Sequence, residues 1–107
     1  MFNEMLAMGG NSGGNSFRGS LVPTSSWQYL DCGFNPKEVV YWCVYANTVL
    51  IYDYDVENNK VYRWYQNDAK SDVTSSILNT YVKVDGTKIY FTTTGTAGFG
   101  TVEIMAI

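Results

Sequence analysis

From residue 27 to the last, hydrophobic and polar positions alternate with the period of an extended chain. Gln28, Leu30, Cys32 and Phe34 fall on one side, Trp27, Tyr29 and Asp31 on the other. Gly33-Phe34-Asn35-Pro36-Lys37 predicts a turn, because Pro36 fixes its own φ and pushes Asn35 out of the helical region. From Glu38 to Ala46 the chain is almost continuously apolar, rich in β-branched and aromatic residues, which predicts a central strand covered on both faces. Trp42, sharing a face with Val40 and Val44, is expected in the core of that strand. Asn47-Thr48 and Asn58-Asn59 mark turns on either side of a strand that runs from Val49 to Asp55 and ends acidic. A fourth strand follows from Val61 to Gln66.

Residues 67–76 are polar and read as a surface loop, with a short edge piece over 77–79. Asp85-Gly86, flanked by the alternating runs Tyr81 to Val84 and Thr87 to Thr93, is the strongest hairpin signal. It predicts a type I′ turn, whose two central residues both need positive φ. After a Gly/Thr loop, Thr101 to Ile107 closes the chain as a strand with Val102, Ile104 and Ala106 on one face. No segment carries a helical period. About six or seven short strands punctuated in this way predict an all-β fold, a single antiparallel β-sandwich or flattened barrel.

The first 24 residues differ in kind. Gly9, Gly10, Gly13, Gly14 and Gly19 lie among Asn and Ser, the composition of a flexible linker. Residues 1–24 therefore read as an N-terminal arm and 25–107 as the β domain. The tip of the arm is apolar and holds Phe2, Met5, Leu6 and Met8. Flexible methionines suit an adaptable docking surface, and a frayed terminus is the plainer alternative. A Gly-rich tether that ends in apolar side chains favours docking on another subunit.

The 107 residues are one domain's worth, and a hydrophobic share of 46% is enough for one core. The net charge of −3, with Lys and Arg scattered from Arg18 to Lys88, leaves no cationic patch for nucleic acid or an anionic membrane. No apolar run approaches the roughly 20 residues of a spanning helix. The start of the chain lacks a basic region and carries Glu4, so synthesis in the cytoplasm without a signal peptide is expected. A hairpin about Asn35-Pro36 would set Cys32 near Val39 and leave Cys43 further along the ladder, so both are expected as buried free thiols.

Candidate chemistry is sparse. There is no histidine, hence no Ser-His or Cys-His pair. The two cysteines form no metal-binding spacing, and no glycine motif cradles phosphate, so no cofactor is implied. Asp53, Asp55 and Glu57 are spaced by two and share a strand face, which hard oxygen-seeking cations such as calcium favour. The segment lacks the Gly and closing Glu of a calcium loop, and a solvated acidic turn accounts for it without metal. Catalysis is not expected.

Four stretches resemble small β modules of structural proteins from phages of Gram-positive bacteria. Gly33-Phe34-Asn35-Pro36-Lys37-Glu38-Val39 is similar to their "GF-x-P-K-x-V" opening. Ile51-Tyr52-Asp53-Tyr54-Asp55 and Lys60-Val61-Tyr62-Arg63 resemble their "I-Y-D-x-D … K-x-Y-R" stretch. The close, Val102-Glu103-Ile104-Met105-Ala106-Ile107, is similar to their "Y-Y-A-I" ending. Where such modules often carry "D-N-G-F", this chain has Asp85-Gly86-Thr87-Lys88, without the aromatic. The resemblance implies a virion component of head surface or tail, and such a component is expected to be homo-oligomeric in its assembly. Its partners would be other virion proteins, held through Phe2, Met5, Leu6 and Met8. The second reading is a carbohydrate-recognition module, which requires at least one of Trp27, Trp42 and Trp64 to be exposed beside polar partners.

Overall fold

The computed structural model describes residues 15–45, 47–65, 70–93 and 100–107, with the backbone alone at 45 and 65. Nine strands lie among the described residues: β1 (Phe17–Leu21), β2 (Gln28–Asp31), β3 (Glu38–Tyr45), β4 (Thr48–Asp55), β5 (Lys60–Tyr65), β6 (Ser71–Asp72), β7 (Val82–Asp85), β8 (Lys88–Phe91) and β9 (Val102–Ala106). One helical turn, α1 (Thr74–Ile77), sits between β6 and β7. The strands form two antiparallel sheets that pack as a sandwich. The larger has the order β1-β9-β3-β4-β5-β6 and the smaller β2-β8-β7. The predicted all-β architecture is therefore present.

Period-two alternation decides which side chains meet between the sheets. Val39, Tyr41 and Cys43 of β3, Leu50, Tyr52 and Tyr54 of β4, and Val102, Ile104 and Ala106 of β9 face Ile89 and Phe91 of β8 and Val82 of β7. Tyr41 and Tyr52 pair across β3 and β4 with their rings stacked at 4.8 Å, and Phe91 meets Tyr41 edge-on at 5.0 Å. Removing such side chains from water contributes about 1.5–3 kcal/mol each.

Several expectations change. β3 is covered on one face only. Its other face, with Val40, Trp42 and Val44, looks outward; Val40 is buried there against Met105, Trp42 is half-buried and Val44 is 57% exposed. Trp42 is thus not in the main core. An apolar run on both sides of a strand did not require two covering layers, because the sheet's own neighbours bury part of the outer face.

The hairpin about Asn35-Pro36 does not form. β2 pairs with β8 in the small sheet, and β3 pairs with β4 and β9 in the large one, so the intervening residues cross between sheets. The crossing is fixed by Cys32 N–H donating to the Thr87 carbonyl at 2.9 Å and Lys37 N–H to the Ile107 carbonyl at 2.7 Å. Both cysteines are free; Cys43 is buried and Cys32 half-buried.

The boundary at residue 25 also moves. β1 lies inside the stretch that reads as a linker, yet it pairs with β9 along its whole length, from Phe17 opposite Ala106 to Leu21 opposite Val102. Gly19 serves packing here: a Cβ on it would stand 2.9 Å from the Phe17 ring and 3.2 Å from Leu30 Cδ1. The glycine lets β1 lie close over β2.

Turns shift by about a residue. The β7–β8 turn is Gly86-Thr87, since Asp85 pairs with Lys88. Gly86 has φ +62° and Thr87 is not among the positive-φ residues, which is the II′ requirement and not I′. Between β3 and β4, Asn47 has φ 63° and Thr48 already belongs to the ladder, paired with Tyr45. In the region read as a loop, Ser71–Asp72 adds to the edge of β5, and Thr74–Ile77 is helical. The Asp72 carboxylate accepts from Thr74 N–H at 2.9 Å and from its hydroxyl at 2.6 Å, and that hydroxyl accepts from Val61 N–H at 2.9 Å. Local side-chain-to-backbone bonds of this kind turn a polar segment that has no helical period.

Candidate recognition surface

Phe2, Met5, Leu6 and Met8, expected from the sequence to anchor a partner, lie outside the described residues. The acidic trio is described, and it does not converge. Asp53 is buried on the outer face of the large sheet, only 4% exposed. Asp55 turns to its own loop, where its carboxylate accepts from Asn58 N–H at 3.2 Å and from Asn58 Nδ2 at 2.8 Å. Glu57 is exposed in that turn. Among the described residues no three His, Cys, Asp or Glu side chains are placed to hold a metal ion.

Asp53 instead meets Glu38, a residue that sequence reasoning did not single out. The two are diagonal neighbours, since Val40 pairs with Asp53 and Glu38 with Asp55. Burial pushes the Glu38 carboxyl up to about 8, aided by its hydrogen bond to Asp53 and by the nearby charges of Asp53 and Asp55. Glu38 thus keeps its proton near neutral pH. Asp53 Oδ1 has no hydrogen-bond partner among the described residues.

A cavity of about 260 Å³ opens between the sheets, lined among others by Tyr41, Cys43, Tyr52, Arg63, Tyr81 and Phe91. Its thiol is poorly suited to nucleophilic attack, because burial pushes Cys43 up and keeps it protonated, and the chain has no histidine to activate it.

Two outward faces remain. On the large sheet, Trp42 pairs with Ile51, Ile51 with Trp64, and Val44 with Val49, so an apolar stripe crosses β3, β4 and β5. Val44 and Val49 are 57% and 46% exposed. Lys70 covers part of the stripe, its Nζ 4.3 Å from the Tyr62 ring centre and 5.6 Å from that of Trp64.

On the small sheet, the outward side chains of β2, β8 and β7 meet in rows: Tyr29, Tyr90 and Lys83, then Asp31, Lys88 and Asp85. Trp27 stands just before β2 on this face and is 37% exposed; Tyr29 is 51% exposed. The Tyr29 and Tyr90 rings lie 5.4 Å apart at 49°. Lys83 Nζ sits 4.4 Å over the Trp27 ring and 5.2 Å from that of Tyr90, and Lys88 Nζ lies 4.7 Å over Tyr29. Asp31 is held below the usual carboxylate range by hydrogen bonds from Thr87 and Gly33. The outward set Trp27, Tyr29 and Asp31 is legible from alternation. The lysines and Tyr90 are not, because they join it only through pairing of β2 with β8, some 60 residues on by the register of Tyr29 with Tyr90.

Comparison of the chain with protein-family models, with curated proteins and with solved structures finds no match, so these surfaces are read from their own residues.

Proposed function

We propose that this chain is a non-enzymatic structural protein of a phage particle, on its head surface or tail, that works through contacts with neighbouring subunits. The observation that carries the assembly reading is the open apolar stripe of the large sheet, with Val44 and Val49 exposed beside half-buried Trp42, Ile51 and Trp64. Contiguous apolar surface of this kind is costly to leave in water and marks protein contacts. The phage context rests on the resemblance of stretches between Gly33 and Ile107 to virion β modules, and the arm tip of Phe2, Met5, Leu6 and Met8 would supply a second, tethered contact.

Sedimentation equilibrium of the full chain tests the assembly reading. The wild type is expected to self-associate at micromolar concentration, and the double variant Val44→Asp, Val49→Asp to stay monomeric with an unchanged β circular-dichroism spectrum. A wild type that is monomeric even at millimolar concentration would remove self-assembly through this stripe.

A second reading has its own observation. Trp27 is the tryptophan that is exposed beside polar partners, as a carbohydrate-recognition module requires. The two readings use opposite faces of the sandwich and are compatible in one protein.

A further inference from the structure

The geometry points to the outer face of the small sheet as a binding platform for an uncharged, hydroxyl-rich glycan, with Trp27, Tyr29 and Tyr90 as the stacking rings. The inference rests on the carbohydrate-recognition reading and goes further by giving it a place and a ligand class.

Three observations converge. The rings lie on one exposed face: Tyr29 and Tyr90 are opposite one another across β2 and β8, and Trp27 is two residues before Tyr29. Tyr29 and Tyr90 lie 5.4 Å apart at 49°, and Lys83 stands 4.4 Å from Trp27 and 5.2 Å from Tyr90, so the three rings are neighbours on this face. Aromatic faces are electron-rich and attract polarised C–H groups, such as those on the flat faces of a pyranose ring.

The second observation is the charge around the shelf. Lys83 and Lys88 stand among Asp31 and Asp85, two cations against two anions, so the face is formally neutral. A polyanion such as single-stranded nucleic acid or a uronic-acid polymer needs an excess of cations, which this face lacks. A polyol needs donors and acceptors side by side. Two ammonium groups supply donors, and Asp31, kept ionised by Thr87 and Gly33, supplies acceptors.

The third is the state of the rings. Both lysines rest over them, Lys83 on Trp27 at 4.4 Å and Lys88 on Tyr29 at 4.7 Å. A lysine ammonium on a flexible four-carbon stem can move from a ring face to its edge. There it would donate to the hydroxyls of a sugar that takes its place. On the large sheet Lys70 also lies over Tyr62 and Trp64, but there Trp42 and Trp64 are half-buried in an apolar stripe.

The test titrates the full chain with short neutral oligosaccharides of glucose, galactose and N-acetylglucosamine, and with oligogalacturonate and oligo(dT) as anionic controls. Binding is read by NMR shift changes and calorimetry. At least one neutral oligosaccharide is expected to bind, with the Trp27 indole N–H among the shifted signals. Trp27→Ala and Tyr29→Ala should each weaken it tenfold or more without changing the melt, since both side chains are exposed surface. Binding that survives both variants would place the glycan site elsewhere and overturn the platform while leaving carbohydrate recognition standing. Failure of every neutral oligosaccharide to bind at 10 mM would overturn both. Preferential binding of oligogalacturonate or oligo(dT) would overturn the uncharged-ligand assignment.

Discussion

Glu38 and Asp53 bring two carboxyl groups together on a sheet face that offers them little water. Glu38 is pushed up from 4.5 to about 8 by burial first and by Asp53 and Asp55 next, while Lys60 stands across the ladder from Asp55. The folded protein therefore holds a proton that the unfolded chain releases above its ordinary value. By linkage, this group's contribution is fully present below about pH 4.5 and is lost as pH rises through about 8. Glu38→Gln keeps a neutral hydrogen-bonding group and removes the titration. Its melting temperature should match the wild type near pH 4.5 and exceed it at pH 9, with a flatter profile between. Parallel profiles across that range would show that Glu38 carries no shifted proton. At the same scale, the face a side chain occupies outranks its size. Tyr41, stacked on Tyr52 within the sandwich, should cost about 3–5 kcal/mol when changed to Ala. Trp42, one residue on and half-buried outside, should cost about 1–3 kcal/mol. Urea unfolding of the two variants decides it, and a larger loss at Trp42 would invert the assignment of faces.

At the level of elements, what alternation encodes was legible and what distant pairing encodes was not. The split of Trp27, Tyr29 and Asp31 from Gln28, Leu30 and Phe34 could be read directly, because period two is a property of the strand alone. So could the inward set Val102, Ile104 and Ala106 of β9. The partner of a strand is a different matter. β2 was expected to pair with the next strand through Asn35-Pro36, and it pairs with β8 instead. Proline and asparagine announce a turn equally well for a hairpin and for a crossing between sheets. β1 was hidden because Phe17-Arg18-Gly19-Ser20-Leu21 follows a run of Gly, Asn and Ser, and only the closeness of Leu30 gives Gly19 its reason. The acidic trio failed similarly. Spacing by two set Asp53 and Asp55 on one face, but the bend of the loop carried Asp55 toward Asn58 and left Asp53 to Glu38.

At the scale of the whole molecule, the sandwich closes through its first strand. β1 covers the edge of β9, its Phe17 and Leu21 pack on the core, and the segment that follows reaches Thr24, whose carbonyl accepts from the Thr92 hydroxyl at 2.8 Å and from Thr93 N–H at 2.9 Å. These contacts join the two sheets near the cavity, where Pro23, Thr92 and Thr93 all line the opening. Two truncations separate the tether from the fold. Removing residues 1–14 leaves every described strand in place, so the β spectrum and the cooperative melt should persist. Removing residues 1–24 deletes β1 and the Thr24 acceptor together. With two apolar side chains lost at about 1.5–3 kcal/mol each, the domain should lose on the order of 3–6 kcal/mol. A loss of that size is a large share of the total stability of a domain of this length. The bared edge of β9 would also be free to pair with another chain, so the longer truncation is expected to aggregate where the shorter does not. Urea unfolding and light scattering of both truncations read these outcomes. Equal stability of the two would mean that β1 rests on the sheet without supporting it, and that the β domain begins where composition alone would set it, near residue 25.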